Sequence, residues 1–280
     1  MDLRKCINLL SDVVNNRPMP IRELDQIYMK HADMLLQIEH ISKYFSDKTV
    51  VFIGDGDAIA LGLAYFQQMG EIEGQVKEIC VLDFDERIIN SINQFAQKHS
   101  LSKVISARQY NVADPLPREL WGKFDCFYCN PPYGASNEGS SITAFMRRGI
   151  EATSNGAIGC VVLADDPELA WASVVLSNTQ RYAIENGFII HEMVPQFHTY
   201  HLEDDPDLTS CSIIFRRIEE KENEYNSIPL DALTLKNFYG QDVPLIYKGV
   251  KDKTMRKHNE PDYELISIAK ETQNDIQRQK

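Results

Sequence analysis

Three things are missing from this 280-residue sequence, and each removes a class of function. No run of eighteen apolar residues occurs, and the opening Met1-Asp2-Leu3-Arg4-Lys5-Cys6 has no apolar h-region. Neither membrane insertion nor secretion is therefore indicated, and a cytoplasmic location is the expectation. No cluster of five or more lysines and arginines occurs either, and 29 basic against 41 acidic residues leave a formal charge of −12. The electrostatic footprint of a nucleic-acid binder is lacking, and polycations, not polyanions, are the natural charged partners. Third, the six cysteines are scattered; the one close pair, Cys126 and Cys129, sits in the apolar run Phe124-Asp125-Cys126-Phe127-Tyr128-Cys129. Residues three apart on a strand face opposite ways, so a zinc or redox pair is disfavoured against reduced core cysteines.

What is present, 43% hydrophobic residues, suffices for one substantial core. Residues 1–48 read as a helical N-terminal cap broken at Arg17-Pro18-Met19-Pro20. From Thr49 strands and helices alternate. Strands are expected at Val50–Ile53, Glu78–Leu82, Val104–Ala107, Phe124–Cys129 and Ile158–Leu163, with helices between them, and two final strands, Ile189–Val194 and Ser210–Phe215, lack an intervening helix. The spacing predicts an α/β fold over 49–217: a Rossmann-like, seven-stranded, mostly parallel sheet covered on both faces, with an antiparallel edge. Residues 218–280 form an acidic C-terminal extension, a candidate lid; Glu219–Glu224 is a charge run and 272–280 is expected to fray.

In open α/β sheets ligands sit beyond the carboxyl ends of strands, and here those positions are acidic. Gly54-Asp55-Gly56-Asp57 follows the first strand; two glycines permit close approach of backbone amides to a ligand, although Ile59 stands where a third glycine of a dinucleotide fingerprint would be. The aspartates read either as helix caps or as an environment for a cationic ligand. Asp83-Phe84-Asp85-Glu86 follows the second strand, 27 residues beyond Gly56, where Asp83 can accept both ribose hydroxyls of a nucleoside and Asp85 can bind or cap the next helix. Asp114, after the third strand, can accept an adenine amine or simply make an Asp-Pro turn.

Asn130-Pro131-Pro132-Tyr133-Gly134 directly after an apolar strand is the most specific signal. The prolines fix the backbone, the Asn130 oxygen accepts an N–H, and Tyr133 walls the reacting group, so the nitrogen lone pair of an amine is aimed at an electrophile; a purely structural turn is the weaker reading. Asp165-Asp166 and Glu203-Asp204-Asp205 flank the same predicted face. They read as solvated loop charge or as anchors for the protonated nitrogens of a polyamine. His198-Thr199-Tyr200-His201 with Asp204 and Asp205 has undistinguished spacing, so no metal is expected.

The glycine-acidic loop, the acid after the second strand and the Asn-Pro-Pro-Tyr turn together resemble class I AdoMet-dependent methyltransferases, over about 49–217. Arg17-Pro18-Met19-Pro20 with Asp25-Gln26, Phe52–Asp57, Asp83–Arg87, Pro115–Asp125 and Phe145–Gly149 resemble more closely the branched-chain polyamine synthases, the N4-bis(aminopropyl)spermidine synthase family. That resemblance implies transfer of an aminopropyl group from decarboxylated AdoMet to a polyamine such as spermidine, and makes Asp57 the counterpart of an acid near the reacting amine. Asp57, Asn130 and Tyr133 are then the catalytic candidates; Gly54, Asp55, Gly56, Asp83, Phe84, Asp85, Asp114 and Pro131 hold the nucleoside; Asp165, Asp166, Glu203 and Asp204 hold the distant amines. The chain differs from the family in having Gly56 within the Gly-Asp-Asp-Asp motif, Asn130 and Tyr133 in place of an Asp-Pro-Pro-Glu turn, and a helical cap in place of a winged-helix-like domain. Independently of family, AdoMet would bring its carboxylate to Asp55 and Asp57, whereas the decarboxylated donor brings an ammonium. The alternatives are amino-group methylation with AdoMet itself and a non-catalytic polyamine- or nucleoside-binding protein. A homodimer is one assembly consistent with such a chain; a nucleic-acid or membrane partner is not expected.

Overall fold

A computed structural model describes residues 2–203, 207–219, 226–239, 246–253 and 261–267. Of the expected features, the charge run after Glu219, Asp204 and Asp205, and the tail from Thr272 lie outside the described residues.

The alternation of strand and helix is realised over β1 (Thr49–Ile53), α3 (Ile59–Gln68), β2 (Glu78–Asp83), α4 (Glu86–Lys98), β3 (Ile105–Gln109), β4 (Phe124–Cys129), α5 (Ser140–Ala152), β5 (Thr153–Ala164), α6 (Ala170–Glu185), β6 (Phe188–Thr199) and β7 (Thr209–Arg217). Two helices precede it, α1 (Leu3–Asn16) and α2 (His31–Phe45). The seven-stranded sheet has the order β3-β2-β1-β4-β5-β7-β6. β1 to β5 are parallel neighbours, while β7 runs antiparallel to both β5 and β6. The fold is thus the Rossmann-like α/β sheet of methyltransferase type, with its antiparallel edge.

Period-two alternation assigns the strand residues to two cores. Val50, Phe52, Cys126, Tyr128 and Cys160 face α1 to α4, whereas Val51, Ile53, Phe127, Cys129 and Val161 face α5 and α6. Cys126 and Cys129 therefore lie on opposite faces of the sheet; all six cysteines are buried free thiols. Residues of α1 and α2, such as Val13, Ile38 and Phe45, belong to the same core as the sheet. No helix among the described residues is long and apolar enough to cross a membrane.

One element escapes the sequence pattern. β8 (Tyr247–Asp252) and β9 (Tyr263–Ser267) form an antiparallel hairpin. Its Val250 joins Ile21 and Leu24 in a small core against Phe84 and Tyr239, and Val250 N donates to Phe84 O at 3.0 Å. The side-chain amide of Asn111 donates to the Tyr247 and Lys248 carbonyls at 2.9 and 3.1 Å. The hairpin thus braces the turns after β2 and β3.

The strand order reverses between β1 and β4, because successive connections leave β1 in opposite directions. A crevice opens at that switch point, beyond the carboxyl ends of both strands. Its floor is rigid. Phe127, fully buried on β4, is clamped between two glycines: a Cβ on Gly149 would stand 2.5 Å from its Cδ2, and one on Gly159 would overlap its Cζ. Gly159→Ala is expected to destabilise the protein by roughly 1–3 kcal/mol through overpacking, measured as a lower denaturation midpoint; an unchanged midpoint would contradict this packing.

Candidate active site

The loops after β1, β2, β3 and β4 meet the N-terminal segment 24–28 around a single cleft. About 990 Å³ of space lies between its walls, the open mouth included. Gly54, Asp55, Gly56, Asp57, Asp83, Phe84, Asn130, Pro131 and Tyr133 all line it. Asp85, Asp114, Asp165, Asp166 and Glu203 do not.

Asp57 is the most heavily engaged carboxyl of the cleft. It is buried, its Oδ1 accepts the Met29 N–H at 2.7 Å, and its Oδ2 accepts Asn130 Nδ2 at 2.7 Å. Arg17 places Nη1 at 3.7 Å from Oδ1 and donates to the Asp57 carbonyl at 3.2 Å, with its guanidinium 4.5 Å from the centre of the Tyr28 ring. Burial pushes the Asp57 carboxyl up from the ordinary value; Arg17, the Met29 amide, Asn130 and His201 pull it back. A carboxylate can only accept, so it fixes the Asn130 amide with nitrogen toward Asp57. The amide oxygen, an acceptor, is then the end of Asn130 not engaged by Asp57, in a residue that lines the cleft.

Asp83, Phe84, Ile88, Val112 and Tyr239 also line the cleft, with Phe84 and Tyr239 stacked at 6.3 Å between centroids. Asp83 accepts the Asp55 N–H at 3.1 Å and the Asp85 N–H at 2.9 Å. Gly54, at φ +75°, makes the turn that lets this contact form, and its ideal Cβ would lie 3.3 Å from the Phe145 ring. Asp55 accepts the Ile59 and Ala60 amides at 2.9 and 3.0 Å, which caps α3.

The remaining predicted residues have other engagements. Asp85 is fully buried, pairs with Arg87 at 2.6 Å, accepts Gln26 Nε2 at 3.1 Å and caps α4 through the Arg87 N–H at 3.0 Å. Asp114 is exposed, in a turn in which its N–H donates to the Asn111 carbonyl at 3.0 Å; Asn111 and Val112 line the cleft in its stead. Asp165 accepts the Gln196 N–H and Asp166 the Glu168 N–H, both at 2.9 Å. Glu203 is exposed, and Asp204 lies outside the described residues. His198 is buried with both ring nitrogens engaged by Ser210 and Gln37.

Asp25, Tyr28, Tyr200 and Tyr239 line the cleft without having been singled out as site residues. Asp25 ends a turn after Leu24 in the left-handed region, at φ 56°. Tyr28 lies over Gly56: a Cβ there would come 3.2 Å from Tyr28 Cε1, so the ring occupies the space a side chain at position 56 would need.

A family model described as "Branched-chain polyamine synthase A C-terminal domain" matches residues 5–255. The chain belongs to this family. Among curated proteins, an N(4)-bis(aminopropyl)spermidine synthase of Thermus thermophilus is 29% identical, over 66% of this chain and 50% of its own length. The corresponding protein of Thermococcus kodakarensis is 27% identical, over 68% and 51%. An uncharacterized protein of Methanocaldococcus jannaschii is 31% identical, over 55% and 34%. The chain thus spans about half the length or less of these curated relatives. The branched-chain polyamine synthase of Thermus thermophilus, solved in complex with N4-aminopropylspermidine and 5′-methylthioadenosine, superposes with a TM-score of 0.67 at 22% identity, covering 81% of this chain and 67% of that one. A putative RNA methyltransferase of Pyrococcus horikoshii gives 0.58 at 14%, over 77% and 100%. These likenesses establish a shared fold.

Burial pushes the Asp83 carboxyl up from 3.8 to about 7, with Asp85 adding and the Asp55 and Asp85 amides opposing. Burial likewise pushes Asp25 up to about 7 against the pull of Arg22. A group whose proton is held more tightly in the folded than in the unfolded chain stabilises the fold at low pH and loses that contribution as pH rises through its folded value. The Asp83 contribution is therefore complete below about pH 4 and gone above about pH 7. Asp83→Asn should lose more thermal stability relative to the parent at pH 4.5 than at pH 7.5, read from the two melting curves; a pH-independent difference would contradict the assigned shift.

Proposed function

We propose that this protein transfers an aminopropyl group from decarboxylated S-adenosylmethionine to an amine of a polyamine such as spermidine, releasing 5′-methylthioadenosine. The observation that carries the reading is the meeting, in one cleft, of the amine-orienting Asn130 turn with the carboxyls of Asp57, Asp55 and Asp83. Its support is the family membership, the names of the curated relatives, and the polyamine and methylthioadenosine bound by the structural relative.

In this scheme Asp83 accepts the ribose hydroxyls while Phe84, Val112 and Tyr239 enclose the base. Asp55 and Asp57 face the donor's charged side chain. Burial holds both carboxyls above their ordinary values, and Asp57 and Asp83 raise Asp55 further; a cationic group entering the loop favours their ionised forms. The carboxylate of S-adenosylmethionine would meet the same charges as a repulsion. Arg17 offsets one unit of that field, so the preference is for the decarboxylated donor without the loop becoming a bare polyanion.

The acceptor amine lies against Asn130 and Tyr133, with an N–H given to the Asn130 oxygen. Its lone pair attacks the carbon attached to sulfur; the N–C bond forms as the C–S bond breaks, and the electron pair leaves on sulfur as the thioether. The proton shed by the nitrogen passes to Asp57, whose raised affinity suits a base. The distant amines of the acceptor pair with Asp165, Asp166 and Glu203, which lie beyond the lining of the cleft. Residues 49–217 hold donor and acceptor, with the segment 24–28 of the N-terminal cap and Tyr239 of the C-terminal extension completing the walls. The location is cytoplasmic, and a homodimer is the assembly we favour.

Incubation of the purified protein with decarboxylated S-adenosylmethionine and spermidine should yield methylthioadenosine and a product heavier by one or two aminopropyl groups, seen by mass spectrometry. Asn130→Ala should lower kcat by roughly a hundredfold through lost orientation. Methyl transfer from S-adenosylmethionine without methylthioadenosine would replace this reading with amino-group methylation. Ligand binding with no turnover of either donor would replace it with a sensing role.

A further inference from the structure

Behind Tyr133 a file of hydrogen-bonding side chains runs into the protein and ends there. The Tyr133 hydroxyl pairs with that of Tyr200, Tyr200 with Ser210 Oγ at 2.7 Å, and Ser210 Oγ with His198 Nδ1 at 2.9 Å. His198 Nε2 pairs with Gln37 Oε1 at 3.0 Å, and Gln37 Nε2 donates to Cys160 Sγ at 3.5 Å. Gln37, His198 and Ser210 are fully buried and Tyr200 nearly so. Four different elements supply its buried part, α2, β5, β6 and β7, although only Tyr133 and Tyr200 touch the cleft.

The polarity of this file is decided at its buried end. The Gln37 amide turns its oxygen to His198, so His198 Nε2 must carry the hydrogen. Burial pushes the imidazole down to about 3, with His40 adding to the effect, so the ring is neutral and Nδ1 is a bare acceptor. The Ser210 hydroxyl must then donate to Nδ1 and accept from Tyr200. Tyr200, its one proton committed to Ser210, must accept from Tyr133. Burial holds both phenols well above their ordinary range, so neither loses its proton. Each step leaves one choice, and the last is forced: the Tyr133 proton points away from the cleft, and only oxygen lone pairs are offered to a bound group.

We propose that His198 is a positioning residue that, through Ser210 and Tyr200, presents the Tyr133 oxygen as an obligate hydrogen-bond acceptor. With the Asn130 oxygen left as an acceptor unengaged by Asp57, the turn after β4 then receives a nucleophile only by its hydrogens. It favours an amine that still bears N–H over a group that must itself accept. The reversed file, with hydrogen on His198 Nδ1, would aim the Tyr133 proton at the attacking lone pair and block it. The role in acceptor selection rests on the amine-transfer reading above; the polarity of the file does not.

Nitrogen-15 NMR of protein labelled at its seven histidines, with His198 assigned by its loss in His198→Asn, should show the Nε2–H tautomer unchanged from pH 5 to 9. Gln37→Leu removes the acceptor that fixes the tautomer, and Ser210→Ala cuts the file while leaving His198 in place. With the fold verified by circular dichroism, each should lower kcat for the amine about tenfold, the worth of one well-placed hydrogen bond, with KM for the donor unchanged. An Nδ1–H or cationic His198 in the parent protein would overturn the proposal. So would folded variants that keep the parent kcat in a protein that does turn over. A protein with the Nε2–H tautomer that transfers nothing to any amine would sink the functional reading and leave the polarity standing.

Discussion

One desolvated carboxylate organises the cleft. Asp57 is removed from water and held by three partners from two parts of the chain: the Met29 amide and Arg17 of the N-terminal segment, and the Asn130 carboxamide. A buried carboxylate without such partners would take up a proton. With them it acts as an acceptor whose geometry dictates which way Asn130 turns. The N-terminal segment, the loop after β1 and the turn after β4 are thereby locked to one another. The stacked Arg17 and Tyr28 complete the arrangement and fill the space over Gly56.

The fold supplies the other requirement, which is that these pieces meet at all. Parallel strands present their carboxyl ends along one edge, and the reversal of order at β1 and β4 opens that edge into a crevice. Phe127 beneath, gripped by Gly149 and Gly159, keeps β4 and its turn from shifting. The β8–β9 hairpin performs a similar service on the opposite wall through Val250 and the Asn111 carbonyl contacts. Positioning here is done by packing and buried hydrogen bonds, which cost their ordering entropy before any ligand binds.

Much of this was legible in the sequence because strand-end chemistry is local. The alternation of strands and helices, the antiparallel edge, the opposed Cys126 and Cys129, and the convergence of the Gly54–Asp57 loop with Asp83 and the Asn130 turn all follow from patterns a few residues long. The ambiguity lay among the carboxylates. A carboxyl just past a strand looks the same whether it binds a ligand or caps the next helix, and Asp85 is wholly spent on Arg87, Gln26 and the start of α4. The walls supplied by Asp25, Tyr28, Tyr200 and Tyr239 come from segments without periodicity, so only the tertiary structure brings them in. β8 and β9 are short and partly buried, which leaves their alternation too weak to read. His198, set aside as a poor metal ligand, has its partners on α2 and β7, beyond what spacing within its own segment can show.

If Asp57 works in large part through Asn130, a double-mutant cycle shows it most directly. In Asp57→Asn the new amide can offer its own N–H to Asn130, which would turn its oxygen inward and withdraw it from the cleft. With Asn130→Ala there is nothing to turn. Single-turnover rates of amine transfer for the parent, Asp57→Asn, Asn130→Ala and the double variant should show strong non-additivity, the double variant being little slower than the slower single one. Losses that simply multiply would mean that the two side chains act independently, and would contradict the account.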